Sequence, residues 1–146
     1  MELYVKKFSE LTVDELYDIA RLRANVFILE QEVGVEDLDG RDKTALHVFL
    51  KDAEGIEAYL RITDRDSDHP DIMIGRVVAA KRRRGLGTEI VKAGIKAARE
   101  IFDAEKIVAE AQTYAKGLYE KCGFTQTSDV FYEEGIPHIP HVRMEI

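Results

Sequence analysis

Between Asp71 and Gln112 the spacing of apolar residues changes twice, and this change limits the possible folds more than any other feature of the chain. DIMIGRVVAA is a mostly apolar run of strand length, and from Leu86 onward Ile90, Val91, Ile95, Ala98, Ile101 and Phe102 recur at helical steps. KIVAEAQ then reads as a strand again. A strand, a helix and a strand in that order predict a right-handed crossover between two parallel strands. Upstream, ELYVKKF reads as a strand and TVDELYDIARLRANVFILEQE as a helix, with Thr12 and Glu15 at capping-box spacing. Leu16, Ile19, Ala20, Val26 and Phe27 mark its buried face, which also carries Arg23. ALHVFLKD and IEAYLRIT read as a hairpin turning at Glu54-Gly55, and with DIMIGRVVAA they make an antiparallel meander. TYAKGLYEKC reads as a second crossover-side helix stopped by Gly123, followed by two strands, FTQTSDVFYEE and HVRMEI. The expected architecture is α/β: a central mixed, mostly antiparallel sheet of about six to seven strands flanked by helices, with residues 1–146 as one domain.

Composition narrows the class of function. With 45% hydrophobic and 34% charged residues the chain can bury a core and stay in solution. No apolar run approaches the roughly 20 residues of a membrane span, and MELYVKK lacks the apolar stretch of a secretion signal, so a cytoplasmic protein with no membrane partner is expected. Cys122 is the only cysteine, which rules out an internal disulfide, and no Cys/His cluster has zinc spacing, so no metal is expected. Twenty-one Lys and Arg against 28 Asp and Glu give a net charge of −7, which disfavours nucleic acid as a partner.

Against that acidic background the KRRRGLG turn at residues 81–87 stands out. It falls between a predicted strand end and a helix N-terminus, where unpaired backbone N–H groups and the helix dipole favour an anion. Glycines let a ligand approach the backbone, and Arg82 and Arg84 supply charge-assisted hydrogen bonds, so phosphate is the natural guest. Neither the dinucleotide G-x-G-x-x-G pattern nor the P-loop pattern is present. Taken by itself, the basic run also fits a solvated charge cluster leading into a helix.

Arg82-Arg83-Arg84-Gly85-Leu86-Gly87 matches R-x-x-G-x-G, and Gln112, Ala115, Tyr119, Lys121, Gly123 and Phe124 resemble an N-x-x-A-x-x-x-Y-x-K-x-G-F segment. In that order and spacing they resemble the GNAT superfamily of acyl-coenzyme A dependent N-acetyltransferases. RLRANVFILEQ, DLDGRDKTALH, IGRVV, AEAQ and EEGIPHIPH extend the resemblance to the ElaA-like subgroup over nearly the whole chain. Two departures stand out: the connection from Val78 to Arg82 is shorter than is common and lacks a frequent proline, and Gln112 replaces the usual Asn.

The resemblance implies acetyl-coenzyme A as cosubstrate and direct transfer of its acetyl group to a primary amine, on a small molecule or a peptide. Val77, Val78 and Ala79 would pair through their backbone with the pantetheine arm, a backbone N–H near Val78 facing the thioester carbonyl. Arg82, Arg84, Gly85, Leu86, Gly87 and Thr88 would hold the pyrophosphate, and Gln112 would add an amide contact. Tyr119 would protonate the leaving thiolate. Three candidates for the base stay open, Glu110, His47 and His138, with a water chain as a substitute for any of them. Arg23 calls for a buried partner, and the loop carrying Glu36, Asp37 and Asp39 either supplies it or forms an acidic wall for the amine, together with Glu30 and Gln31. An acyl-coenzyme A binding module without turnover and a small nucleotide-binding protein are the alternatives. Homodimerisation through the C-terminal strand is an option.

Overall fold

A computed structural model describes residues 1–30, 37–65, 71–80, 85–133 and 136–146, with the backbone alone for 28–30. Its strands are β1 (Glu2–Lys7), β2 (Leu46–Asp52), β3 (Gly55–Asp64), β4 (Ile72–Ala79), β5 (Ile107–Gln112), β6 (Thr125–Gln126), β7 (Phe131–Tyr132) and β8 (Pro140–Glu145). Its main helices are α1 (Val13–Arg23), which continues as a π-helix over Ala24–Glu30, α2 (Leu86–Phe102) and α3 (Lys116–Lys121). The strands form one mixed sheet in the order β1-β2-β3-β4-β5-β8-β6, with β7 also on β8. β1 to β4 make the expected antiparallel meander, and β4 and β5 run parallel across the α2 crossover.

Alternation along the strands gives each face of the sheet its own core. Val48, Leu60, Ile62, Ile74, Ile107 and Ala109 turn toward α2 and α3, where Ile90, Val91 and Ala98 close over them. Phe49, Tyr59 and Val78 turn the other way, toward Ile19 of α1. The capping box starts α1 as expected: Thr12 Oγ1 accepts from Glu15 N–H at 3.0 Å, and the Glu15 carboxylate accepts from Thr12 N–H at 2.9 Å.

Three expectations need correction. Leu16 is exposed, and the buried positions of α1 are Glu15, Ile19 and Arg23, because this helix covers charged as well as apolar sheet residues. The hairpin turns at Ala53-Glu54, one residue earlier than expected, since Asp52 pairs with Gly55. FTQTSDVFYEE is not one strand but two: β6 ends its pairing at Gln126↔Met144 and β7 resumes at Phe131↔His141. Four residues thus oppose two, and the excess is accommodated where Ser128 Oγ accepts from Arg143 N–H at 2.8 Å. Counting both pieces, the sheet has eight strands among the described residues.

Arg23 finds the partners its burial demands. Its guanidinium donates to Asp42 Oδ1 at 2.7 Å, to Asp37 Oδ2 at 3.2 Å and to the Asp37 carbonyl at 2.8 Å. Arg61 grips Asp39 with two bonds of 2.8 Å and reaches Asp42 Oδ1 at 3.1 Å. Arg76 Nε lies 2.9 Å from Asp37 Oδ1. Three arginines therefore neutralise three aspartates between α1, the 37–42 loop and the sheet, so the loop serves as salt-bridge architecture. Glu36 and Gln31 lie outside the described residues, as does the side chain of Glu30.

Asp42 is the shared acceptor of Arg23 and Arg61, and burying either guanidinium without it is costly. Asp42→Ala is expected to lower unfolding free energy by about 3 kcal/mol or more in urea denaturation, whereas Asp42→Asn, which keeps the oxygen, costs less.

Candidate active site

β4 and β5 pair over only three residues, Ile72↔Ile107 to Ile74↔Ala109. Beyond them β4 is deflected by a bulge: Tyr59 pairs with Val78 and Arg61 with Gly75, so Leu60 faces both Arg76 and Val77. Arg76 takes φ +53°, a left-handed conformation that costs a non-glycine residue about 1 kcal/mol or more. Its bonds to the Asp37 carbonyl at 3.2 Å and its ion pair with Asp37 hold it there. Past the bulge β4 and β5 part, and a cavity of about 820 Å³ opens between them.

Val77, Val78 and Ala79 line one wall of that cavity, and Glu110, Ala111 and Gln112 the other. Ala80 N–H donates to the Glu57 carbonyl at 2.7 Å. Because antiparallel ladders alternate, Val78 then pairs its backbone with Tyr59, while Val77 and Ala79 turn their N–H and C=O groups to the gap. The gap-facing donor is therefore at Val77 and Ala79, one residue to either side of Val78, whose side chain packs on Ile19 and Tyr59.

The opening runs from one face of the sheet to the other. Tyr119 of α3 enters it from the α2 side, only 7% exposed, with its ring edge-on to Phe124 at 5.6 Å. Burial pushes its pKa well above that of a free phenol, so the hydroxyl keeps its proton at neutral pH. Glu110 points to the opposite face, since its neighbours Ala109 and Ala111 belong to the α2 side. Burial raises the Glu110 pKa, and a hydrogen bond with Glu133 raises it further against the opposing charges of Arg143 and Arg65. A carboxylate raised toward neutrality is matched to take a proton from an ammonium. Glu133 and His138 also line the cavity.

His47 does not. It is fully buried beneath the 37–42 loop, with Nε2 2.8 Å from the Asp42 carbonyl and Nδ1 2.7 Å from the Tyr59 hydroxyl. A carbonyl only accepts, so Nε2 carries the hydrogen and Nδ1 accepts from Tyr59. Both nitrogens are occupied, and the role expected for His47 as a base is corrected to that of a strut in the arginine–aspartate network.

Gly85 precedes α2 at φ +80°, the left-handed region, and a Cβ on Gly87 would stand 2.6 Å from Leu118 Cδ1, so that glycine lets α3 lie against the start of α2. Leu86 is buried in the core and Thr88 half-buried. None of these four residues lines the cavity, while Arg82 and Arg84 lie outside the described residues. Cys122 is half-buried with its pKa pushed up by burial, as suits an inert thiol. Sequence reasoning missed Glu133 and Arg76. Arg76 was visible as a cation within an apolar strand; Glu133 had no local signal, because a split strand decides where it points.

A family model described as an acetyltransferase (GNAT) domain matches residues 18–146. A UPF0039 protein of Schizosaccharomyces pombe is 35% identical over 150 residues, which span 100% of this chain and 98% of that one. Protein ElaA of Escherichia coli is 32% identical over 139 residues, 92% of this chain and 91% of its own. The crystal structure of ElaA superposes with a TM-score of 0.87 over 99% of each chain at 28% identity. An acyl-CoA N-acyltransferase from Pseudomonas aeruginosa does so with a TM-score of 0.87 over 99% of each chain at 29% identity. The chain belongs to the GNAT acetyltransferase family, in its ElaA-like subgroup. Family and fold together support an acyltransferase activity. Among the described residues, no helix is long and apolar enough to cross a membrane.

Burial lowers the His47 pKa below its ordinary value of about 6.5. The unfolded chain therefore binds that proton more readily, and stability present above about pH 6.5 is lost as pH falls below it. Glu110, with a raised pKa, acts in the opposite sense. The thermal-unfolding midpoint of His47→Gln, compared with wild type at pH 7 and about pH 5.5, should fall less on acidification; equal falls would place the His47 proton elsewhere.

Proposed function

We propose that this chain transfers an acetyl group directly from acetyl-coenzyme A to a primary amine, both substrates being bound at once. The observation that carries the reading is the parting of β4 and β5, which leaves the gap-facing backbone of Val77 and Ala79 beside Tyr119. Pantetheine is extended and rich in amides, so it fits there as an added strand, and a volume of about 820 Å³ suits a ligand of that size. Arg82 and Arg84, with the N–H groups from Gly85 to Thr88, then take the pyrophosphate, and Gln112 contacts the arm from β5.

In the reaction the amine lone pair attacks the thioester carbonyl carbon, and the Val77 N–H stabilises the oxygen as it becomes negative. The C–S bond breaks, and the departing sulfur takes its proton from the Tyr119 hydroxyl. Glu110, hydrogen-bonded to Glu133, takes the proton that the nitrogen loses; His138 stands at the same cavity as an alternative acceptor. Acid and base come from opposite faces of the sheet, so each reaches the reacting atoms without protonating the other. Residues 1–146 act as one domain in this scheme.

Tyr119→Phe removes the proton donor and little volume, and is expected to lower kcat about 100-fold in a thiol-release assay while coenzyme A affinity stays within about twofold. Glu110→Gln should erase the limb of the pH–rate profile that rises as Glu110 loses its proton. Absence of thiol release by the wild type with acetyl-coenzyme A and a broad amine panel would sink the reading.

A further inference from the structure

Beside the main cavity lies a second chamber of about 240 Å³, which the family resemblance does not account for. Met73, Gly75, Arg76 and Glu110 line both, so the two meet at the bulge and at the carboxylate assigned as the base. The smaller chamber is walled by Arg41, Arg61, Arg65 and Arg76 against two carboxylates, Asp39 and Glu110. Four cations facing two acids is a local positive excess in a chain whose net charge is −7.

Arg61 and Arg76 share the charges of Asp37 and Asp39, so the excess rests on Arg41 and Arg65 and is enlarged by the partial loss of the Glu110 charge. Asp39 is taken up by the two bonds from Arg61, which hold its carboxyl far below the usual range. Glu110 is held toward its neutral form by burial and by Glu133. Several cationic groups remain weakly matched. Arg65 meets Asp71 only at 3.8 Å, and the Arg41 guanidinium donates to a neutral acceptor, the Asp64 carbonyl. Arg76 is paired with Asp37 Oδ1 at 2.9 Å and Asp39 Oδ2 at 3.4 Å, but its buried Nε–H is misaligned with Asp37 and makes no hydrogen bond, so that donor is left over. Burial and the neighbouring Arg61 charge both press against the Arg76 cation. Clustered guanidiniums with unused donors around a small polar chamber are the arrangement that recognises an oxoanion.

We propose that this chamber is an anion subsite of the acceptor, which is a small amine carrying a carboxylate or phosphate a few bonds from its nitrogen. This rests on the acyl-transfer reading, since it places the amine at Glu110 with the acetyl donor along β4. The short spacing follows from Arg65 being near enough to Glu110 to oppose its protonation, and from Arg76 and Glu110 bordering both chambers. Arg65 and Arg76 hold the anion, and the nitrogen beside Glu110 faces the gap.

Matched pairs that differ only in the anionic group test the proposal: phenylalanine against phenethylamine, lysine against cadaverine, and phosphoethanolamine against ethanolamine. Thiol release from acetyl-coenzyme A should favour the anionic member of at least one pair by about tenfold or more in kcat/KM. The carboxylate pairs and the phosphate pair tell which oxoanion is preferred. Arg65→Gln should raise KM for the favoured member with a smaller change in kcat and shrink the ratio toward one, while the same charge change at the exposed Arg99, in Arg99→Gln, leaves it unaltered. Calorimetric binding of the same pairs, with and without coenzyme A, needs no turnover. If anionic members bind and Arg65→Gln weakens them while no thiol is released, the subsite stands and acetyl transfer is lost. The proposal is overturned if each partner lacking the anionic group binds or reacts as well as its anionic counterpart, if no anionic member binds or reacts, or if Arg65→Gln leaves the ratio intact.

Discussion

One extra residue in β4 governs the site. With Arg76 at φ +53°, the strand bends after Gly75 and gives up its neighbour β5, which it has paired for only three residues. Had the ladder continued, the backbone groups of Val77 and Ala79 and those of Glu110 and Gln112 would have satisfied one another and left no cavity. The parted strands instead keep polar backbone facing an opening, and unpaired backbone inside a protein calls for a partner. An arm of amide groups is such a partner, so a single local strain becomes a binding groove.

The strain is not held by the bulge alone. Arg76 is bound to Asp37, Asp37 to Arg23, Arg23 to Asp42 and Asp42 to Arg61, so α1, the 37–42 loop and two strands share one set of charges. His47 and Tyr59 brace the network from beneath through the Asp42 carbonyl. Removing any member leaves a buried charge with fewer partners, which explains why so many polar groups sit on the α1 face where an apolar core would also have been stable. Arg76 borders both chambers, Asp37 the larger and Arg61 the smaller, so the proposed recognition would draw on residues that also hold the fold.

Placing the proton groups on opposite faces has a chemical consequence. Tyr119, among apolar neighbours and edge-on to Phe124, is kept protonated, while Glu110, next to Glu133 and within reach of Arg143 and Arg65, is raised but stays able to ionise. In the proposed reaction, environment separates an acid from a base with the sheet between them. The opening between β4 and β5 is what would let both act on one bound substrate in that scheme.

Periodicity and turn chemistry made much of this legible in the sequence. The meander, the α2 crossover, the Thr12–Glu15 cap and the Gly123 stop depend on residues a few positions apart, and such local signals survive without knowing what packs where. Motif spacing likewise marked Val77 to Ala79, Glu110, Gln112 and Tyr119, all of which line the cavity. What it could not mark depends on contacts between distant segments. His47 carries the chemistry of a base, but only the approach of the 37–42 loop shows both its nitrogens occupied. The backbone donor falls at Val77 because bulge and ladder parity set which N–H groups face the gap, and Glu133 reaches Glu110 because the strand before β8 breaks in two. Sequence by itself determined the elements and the residue types available for acyl transfer; tertiary structure decided which of them meet, because burial, register and charge pairing exist only once the segments are brought together.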